Sequence, residues 1–116
     1  MVTFTVIINE APIGKERAFT GLRFATTCML EGHKVNLFLM ENGVYVAKKG
    51  QKPSTDAPNL GEYLEELIKS DVEVKVCVVC INSRGLSEND LIEGAKIATM
   101  HELVEWTATS DKVVVF

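Results

Sequence analysis

The sequence predicts an α/β protein: a three-layer α/β/α sandwich around a mainly parallel sheet of about four to five strands. Two observations predict it. Several short segments are nearly continuously apolar and rich in β-branched residues, as strands covered on both faces are. They are separated by segments whose apolar residues recur every three to four positions, as helices require. Right-handed crossovers between such strands then place helices on the sheet faces. No internal repeat, low-complexity tract or linker breaks this order, so residues 1–116 are expected to form one domain, long enough for a core without staples.

Each element has its own signal. Residues 3–8, TFTVII, read as a first buried strand, ended by Pro12 and Gly14. Between Lys15 and Glu31, Ala18, Leu22, Ala25 and Met29 follow the helical period, and Gly32 is placed to stop it. Residues 34–40, KVNLFLM, read as a second strand. Gly43 to Lys49 fits either a short helix or an extended piece, and Gly50 to Pro58 is a proline-containing loop. Asn59 can cap a helix over Leu60 to Lys69, with Tyr63, Leu64, Leu67 and Ile68 on one face. Val72 to Val79 reads as the third strand. A polar turn begins at Ser87 and leads to Leu91 and Ile92. Thr99 and Glu102 have capping-box spacing before Leu103, Val104 and Trp106, and KVVVF, residues 112–116, closes the chain as a strand. The expected order is β-α-β-(α)-α-β-α-α-β.

Composition narrows the function classes. The net charge of −4 and scattered basic residues argue against binding nucleic acid or an anionic membrane, both of which need a clustered basic face. Lys48, Lys49 and Lys52 form the only close trio, and a solvated loop accounts for them. No apolar run approaches the length of a membrane span. The N-terminal residues lack the pattern of a signal peptide, so the protein is expected to be cytoplasmic. Three cysteines, an odd number, in a reducing compartment speak against a disulfide framework.

The stretch VEVKVCVVCINSRGLS, residues 72–87, places Cys77 and Cys80 where a strand gives way to a turn. In open α/β sheets, ligands bind beyond the carboxyl ends of the strands, and backbone N–H groups there favour an anion. A thiolate, the nucleophilic form of cysteine, is such an anion. Arg84 stays charged and can support the thiolate or grip an anionic partner group; Gly85 lets the chain turn with positive φ. Asn9 after the first strand, and Glu41 and Asn42 after the second, share that sheet edge, and Asn82 lies within the motif. Cys28, beside Met29, reads as a small hydrophobe, and Trp106 as core. A structural zinc is not expected: the CxxC supplies two ligands, and His33 and His101 lie outside any paired motif. His101, beside a helix cap, reads as a surface residue, and no cofactor is expected. A thioredoxin-like dithiol opens a helix after an early strand, whereas this pair follows a late one. A sulfur nucleophile, a reversible dithiol and a pair of packing residues all stay open.

CVVCINSRGL, residues 77–86, resembles the cysteine segment of DsrE/DsrF-like proteins, in which a cysteine precedes an Arg-Gly pair by seven residues. VIINEAPIGKERAFTGLRFA is similar to that family's first strand, loop and helix. NLFLMENGVYVAKKGQ is similar to its second strand and the segment after it, and EGAKIATMHELVEWTATSDKVVVF to its C-terminal helix and strand. The resemblance implies an α/β/α fold, small homo- or hetero-oligomers (often trimers or hexamers), and a cysteine that carries a persulfide between donor and acceptor proteins. By its offset from Arg84-Gly85, Cys77 matches the carrier position; Cys80 matches the second cysteine of a CxxC subgroup. The expected site is therefore Cys77 and Cys80, supported by Arg84, Gly85, Asn82 and Asn9.

Overall fold

The computed structural model describes residues 1–116. Strands β1 (Thr3–Ile8), β2 (Lys34–Leu39), β3 (Glu73–Cys77), β4 (Ala95–Ala98) and β5 (Lys112–Val115) form one all-parallel sheet in the order β4-β3-β2-β1-β5. Helices α1 (Arg17–Leu30), α2 (Leu60–Lys69), α3 (Val78–Ser83) and α4 (Met100–Thr109) connect them, with 3₁₀ segments at Glu41–Ala47 and Glu88–Asp90. No helix is long and apolar enough to cross a membrane.

Strand alternation assigns the layers. Phe4 of β1 meets Phe24 of α1, and Tyr63 of α2 packs on Phe19 and accepts a hydrogen bond from Thr26 Oγ1. On the opposite face, Phe38 stands edge-on to Trp106 of α4, and Thr5 Oγ1 donates to the Trp106 carbonyl. Lys75 places its ammonium 4.5 Å from the Trp106 ring centre and 3.4 Å from Glu102. The chain steps from β1 to β4 in one direction and returns across the sheet to β5. With one crossover hand, α4 must therefore lie on the face opposite α1 and α2. This is the expected three-layer sandwich. β2 sits at the centre, and Val35 to Leu39 are all buried, which explains why the run is apolar apart from Asn36, whose Oδ1 is buried without a hydrogen-bond partner.

Helix ends follow the expected chemistry. Asn59 Oδ1 accepts the Glu62 N–H at 3.1 Å, and Leu60, Leu64 and Leu67 behind it are buried, each contributing about 1.5–3 kcal/mol. At the other end of α2, the Asp71 N–H donates to the Ile68 carbonyl and the Val72 N–H to that of Leu67. This Schellman closure holds Asp71 at φ 68, where an L side chain is strained. Asp71→Gly is expected to raise stability by about 1 kcal/mol in a urea titration; a fall would contradict the strain.

α4 carries the predicted capping box. The Thr99 N–H donates to Glu102 Oε2 at 2.8 Å, and the Glu102 N–H donates to Thr99 Oγ1 at 3.3 Å. Thr99→Ala is expected to cost about 1 kcal/mol in the same titration. The bond from the Thr99 backbone, helped by Lys75, holds the Glu102 carboxyl below its ordinary range. The Ser87 backbone and hydroxyl do the same for Asp90. A depressed carboxylate stabilises the fold above its unfolded-chain value and loses that contribution as pH falls through the lowered one. The thermal midpoint is therefore expected to drop on acidification below about pH 4, and less steeply in Glu102→Gln. An equal slope in the variant would remove Glu102 from this account.

Two expectations need correction, at the end of the third strand and at Ala95–Ala98, and one open alternative resolves as a short helix. The third strand stops at Cys77 instead of Val79, because the chain turns there into α3 with Cys77 as its N-cap. The ambiguous Gly43–Lys49 stretch belongs to the 3₁₀ segment Glu41–Ala47. A strand was not expected at Ala95–Ala98; those four residues form the sheet edge beyond β3.

Candidate functional site

The two thiols lie at the carboxyl edge of the sheet, on the junction between β3 and α3. Residues 76–79, VCVV, favour an extended chain locally, yet α3 begins at Val78 because side-chain and backbone groups cooperate across the turn. Cys77 adopts extended geometry as the cap, and its Sγ accepts the Cys80 N–H at 3.4 Å. The pair therefore opens a helix, contrary to the contrast drawn with thioredoxin-like dithiols. At the far end of α3 the Gly85 N–H donates to the Asn82 carbonyl and the Leu86 N–H to that of Ile81. This is a second Schellman closure, and it requires the positive φ of 69 that Gly85 supplies. Gly85 thus ends the helix.

Residues just after β2 cover the thiols. The Met40 N–H donates to the Ile8 carbonyl, and the Gly43 N–H donates to the Asn9 carbonyl at 3.0 Å. Held in this way, Glu41 takes φ 51 and directs its N–H onto Cys80 Sγ at 3.0 Å. Asn42 Oδ1 accepts both Nε and Nη2 of Arg84, at 3.1 and 2.9 Å. The same guanidinium donates through Nη1 to the Cys80 carbonyl and to Ser83 Oγ. Arg84 therefore staples α3 to the segment after β2 and acts on sulfur only through its charge. Asn9 lies at this edge with its side-chain Oδ1 buried and without a hydrogen-bond partner. Asn82 is exposed on α3, away from both thiols.

Electrostatics separate the cysteines from one another. Burial pushes the Cys80 thiol above its ordinary value, and the adjoining Cys77 side chain adds to the rise; the Glu41 N–H and the Arg84 charge oppose it. Cys80 is thus a protonated thiol at neutral pH. Burial also raises Cys28, which lies within α1 as a core residue. Cys77 is 5% exposed and Cys80 9%, whereas Val79 between them is 71% exposed.

Other candidate groups lie elsewhere. His33 Nδ1 accepts the Val2 N–H, and its ring packs on Phe4. His101 is exposed on α4, and Trp106 is buried in the core. No group of three or more His, Cys, Asp or Glu side chains is arranged to hold a metal ion. Sequence reasoning placed Glu41 and Asn42 at this edge but not their roles. The backbone N–H of Glu41 leaves no mark in a sequence, and Asn42 and Arg84 meet across 42 positions.

Comparison with known proteins gives a consistent picture. The sequence profile of the DsrE/DsrF-like family matches residues 3–116. An uncharacterized protein of Methanocaldococcus jannaschii is 60% identical over 113 residues, covering 97% of this chain and 98% of its own. The crystal structure of YchN from Escherichia coli superimposes with a TM-score of 0.92 at 38% identity, covering 100% of both chains. A sulfurtransferase TusD homolog of Vibrio parahaemolyticus is 29% identical over 128 residues, covering 99% of this chain and 98% of its own.

Proposed function

From the premise that the chain belongs to the DsrE/DsrF-like family, we propose that it is a sulfur carrier that holds sulfane sulfur as a persulfide on Cys77 and passes it between partner proteins. The observation that carries this reading is the placement of Cys77. Its sulfur stands at the end of β3, receives the Cys80 N–H, and lies beside the exposed Val79. The nucleophile is the thiolate of Cys77, which attacks the outer sulfur of a donor's persulfide. The donor leaves as its own thiolate and Cys77 gains one sulfur. Attack by an acceptor thiolate on that outer sulfur returns Cys77 to its starting state. The likeness to a protein named as a sulfurtransferase TusD homolog supports this class of reaction.

A homo-oligomer fits the same reading. Met100, Val104, Val113 and Val115 leave apolar side chains exposed on α4 and the edge strand β5. Sedimentation of the full chain is expected to give more than one subunit per particle.

The burial of both thiols favours a second reading, in which they only pack. Intact-mass measurement after incubation with a low-molecular-weight persulfide separates the two. The carrier is expected to gain one sulfur per chain, and to gain none once its thiols have been alkylated. If the untreated chain, trapped immediately after exposure, shows neither added sulfur nor a Cys77–Cys80 disulfide with released sulfide, the carrier reading falls and packing stands.

A further inference from the structure

We propose that Cys80 discharges the Cys77 persulfide within the chain, releasing sulfide and leaving a Cys77–Cys80 disulfide; this rests on the carrier reading above. The Cys80 thiolate, its proton passed to solvent, attacks the inner sulfur, Cys77 Sγ. The bond between Cys77 Sγ and the sulfane sulfur breaks, and the sulfane sulfur departs with the electron pair as hydrosulfide. The sulfane sulfur is reduced by two electrons, which the two cysteine sulfurs supply as they become a disulfide. A dithiol reductant then restores both thiols.

Three features place Cys80 for this attack. Its backbone N–H already lies 3.4 Å from Cys77 Sγ, so the two residues share one turn at the start of α3. Its own sulfur is fixed by the Glu41 N–H at 3.0 Å, a donor that also stabilises the attacking thiolate. Glu41 is held there by the Gly43 bond to Asn9, and the Arg84 clamp on Asn42 and on the Cys80 carbonyl keeps α3 against it. Cys77 and Cys80 are both buried, at 5% and 9% exposure, so the inner sulfur of a loaded Cys77 lies away from solvent and close to the Cys80 side chain. A sulfane sulfur on Cys77 stands about 2 Å beyond Sγ along the new bond. The outer sulfur is then the one a partner reaches, while the inner one stays beside Cys80. Transfer and discharge therefore compete for one persulfide by attacking different sulfurs, and Cys80 sets how long the cargo lasts without an acceptor.

The test loads wild type, Cys80→Ser and Cys80→Ala with limiting inorganic polysulfide, removes the excess, and follows intact mass and free sulfide without reductant. Wild type is expected to release one sulfide per persulfide and to end with a disulfide inside the peptide Val76–Arg84. Both variants are expected to keep the added sulfur at least about tenfold longer. Equal lifetimes in all three proteins, or sulfide release without that disulfide, would overturn the proposal while leaving the carrier reading intact. If none of the three proteins takes up sulfur, the carrier reading fails and this proposal with it.

Discussion

Cys77→Ser is expected to abolish uptake of sulfane sulfur, whereas Cys80→Ser and Cys28→Ser each still gain one sulfur on the same treatment. The asymmetry follows from position. Cys77 caps α3 at the end of β3, with an N–H donated to its sulfur. Cys80 lies one turn on, under the Glu41 N–H, and burial raises its thiol above the ordinary value. Cys28 is inside α1 against the core. A hydroxyl in place of the Cys77 thiol can still accept the Cys80 N–H and cap α3, so the fold should survive the change. The circular dichroism of Cys77→Ser should therefore match wild type while its intact mass stays unchanged by the persulfide. A full sulfur gain in this variant would remove Cys77 from the carrier role.

Gly43→Ala is expected to be the most damaging single substitution outside the core side chains, lowering stability by about 3 kcal/mol or more. A Cβ at this position would lie 2.0 Å from the Ile8 carbonyl oxygen and 2.8 Å from its carbon. Both are backbone atoms at the end of β1, an interior strand, and they cannot swing aside as a side chain does. Either the 3₁₀ segment or the strand end must move. Movement of the segment also withdraws the Glu41 N–H from Cys80 and strains the Arg84–Asn42 pair. Urea unfolding should show the loss, together with faster alkylation of Cys80. A change below about 1 kcal/mol would mean that the strand end accommodates the methyl group without displacing the segment.

The central sheet is legible in the sequence because its strands are buried on both sides, and Val35, Leu37, Phe38 and Leu39 are apolar to suit. The caps at Asn59 and Thr99 are legible because a cap is a local contact between residues three apart. β4 is not, since AKIA is four residues long, contains a lysine, and becomes a strand only because β3 offers it a free edge. The start of α3 is hidden for the opposite reason. Its valines favour extension, and the helix forms through the Cys77 cap and the Arg84 ties. Within the site, spacing points to Cys77, Cys80 and Arg84. The partner of Arg84 and the donor to Cys80 come from the segment after β2, whose approach depends on the tertiary fold. Gly85, expected to let the chain turn with positive φ, does so at φ 69 by ending α3, the helix that carries Cys80.

Mapping the added sulfur in the unmodified chain tests the central claim most directly. Cleavage after Lys75 and Arg84 puts both thiols on the single peptide Val76–Arg84, so fragmentation between residues 77 and 80 assigns the sulfur without any substitution. After brief exposure to limiting persulfide and immediate trapping with an alkylating agent, the extra sulfur is predicted on the fragment containing Cys77. Finding it first on Cys80 or on Cys28 would contradict the assignment of Cys77 as the carrier.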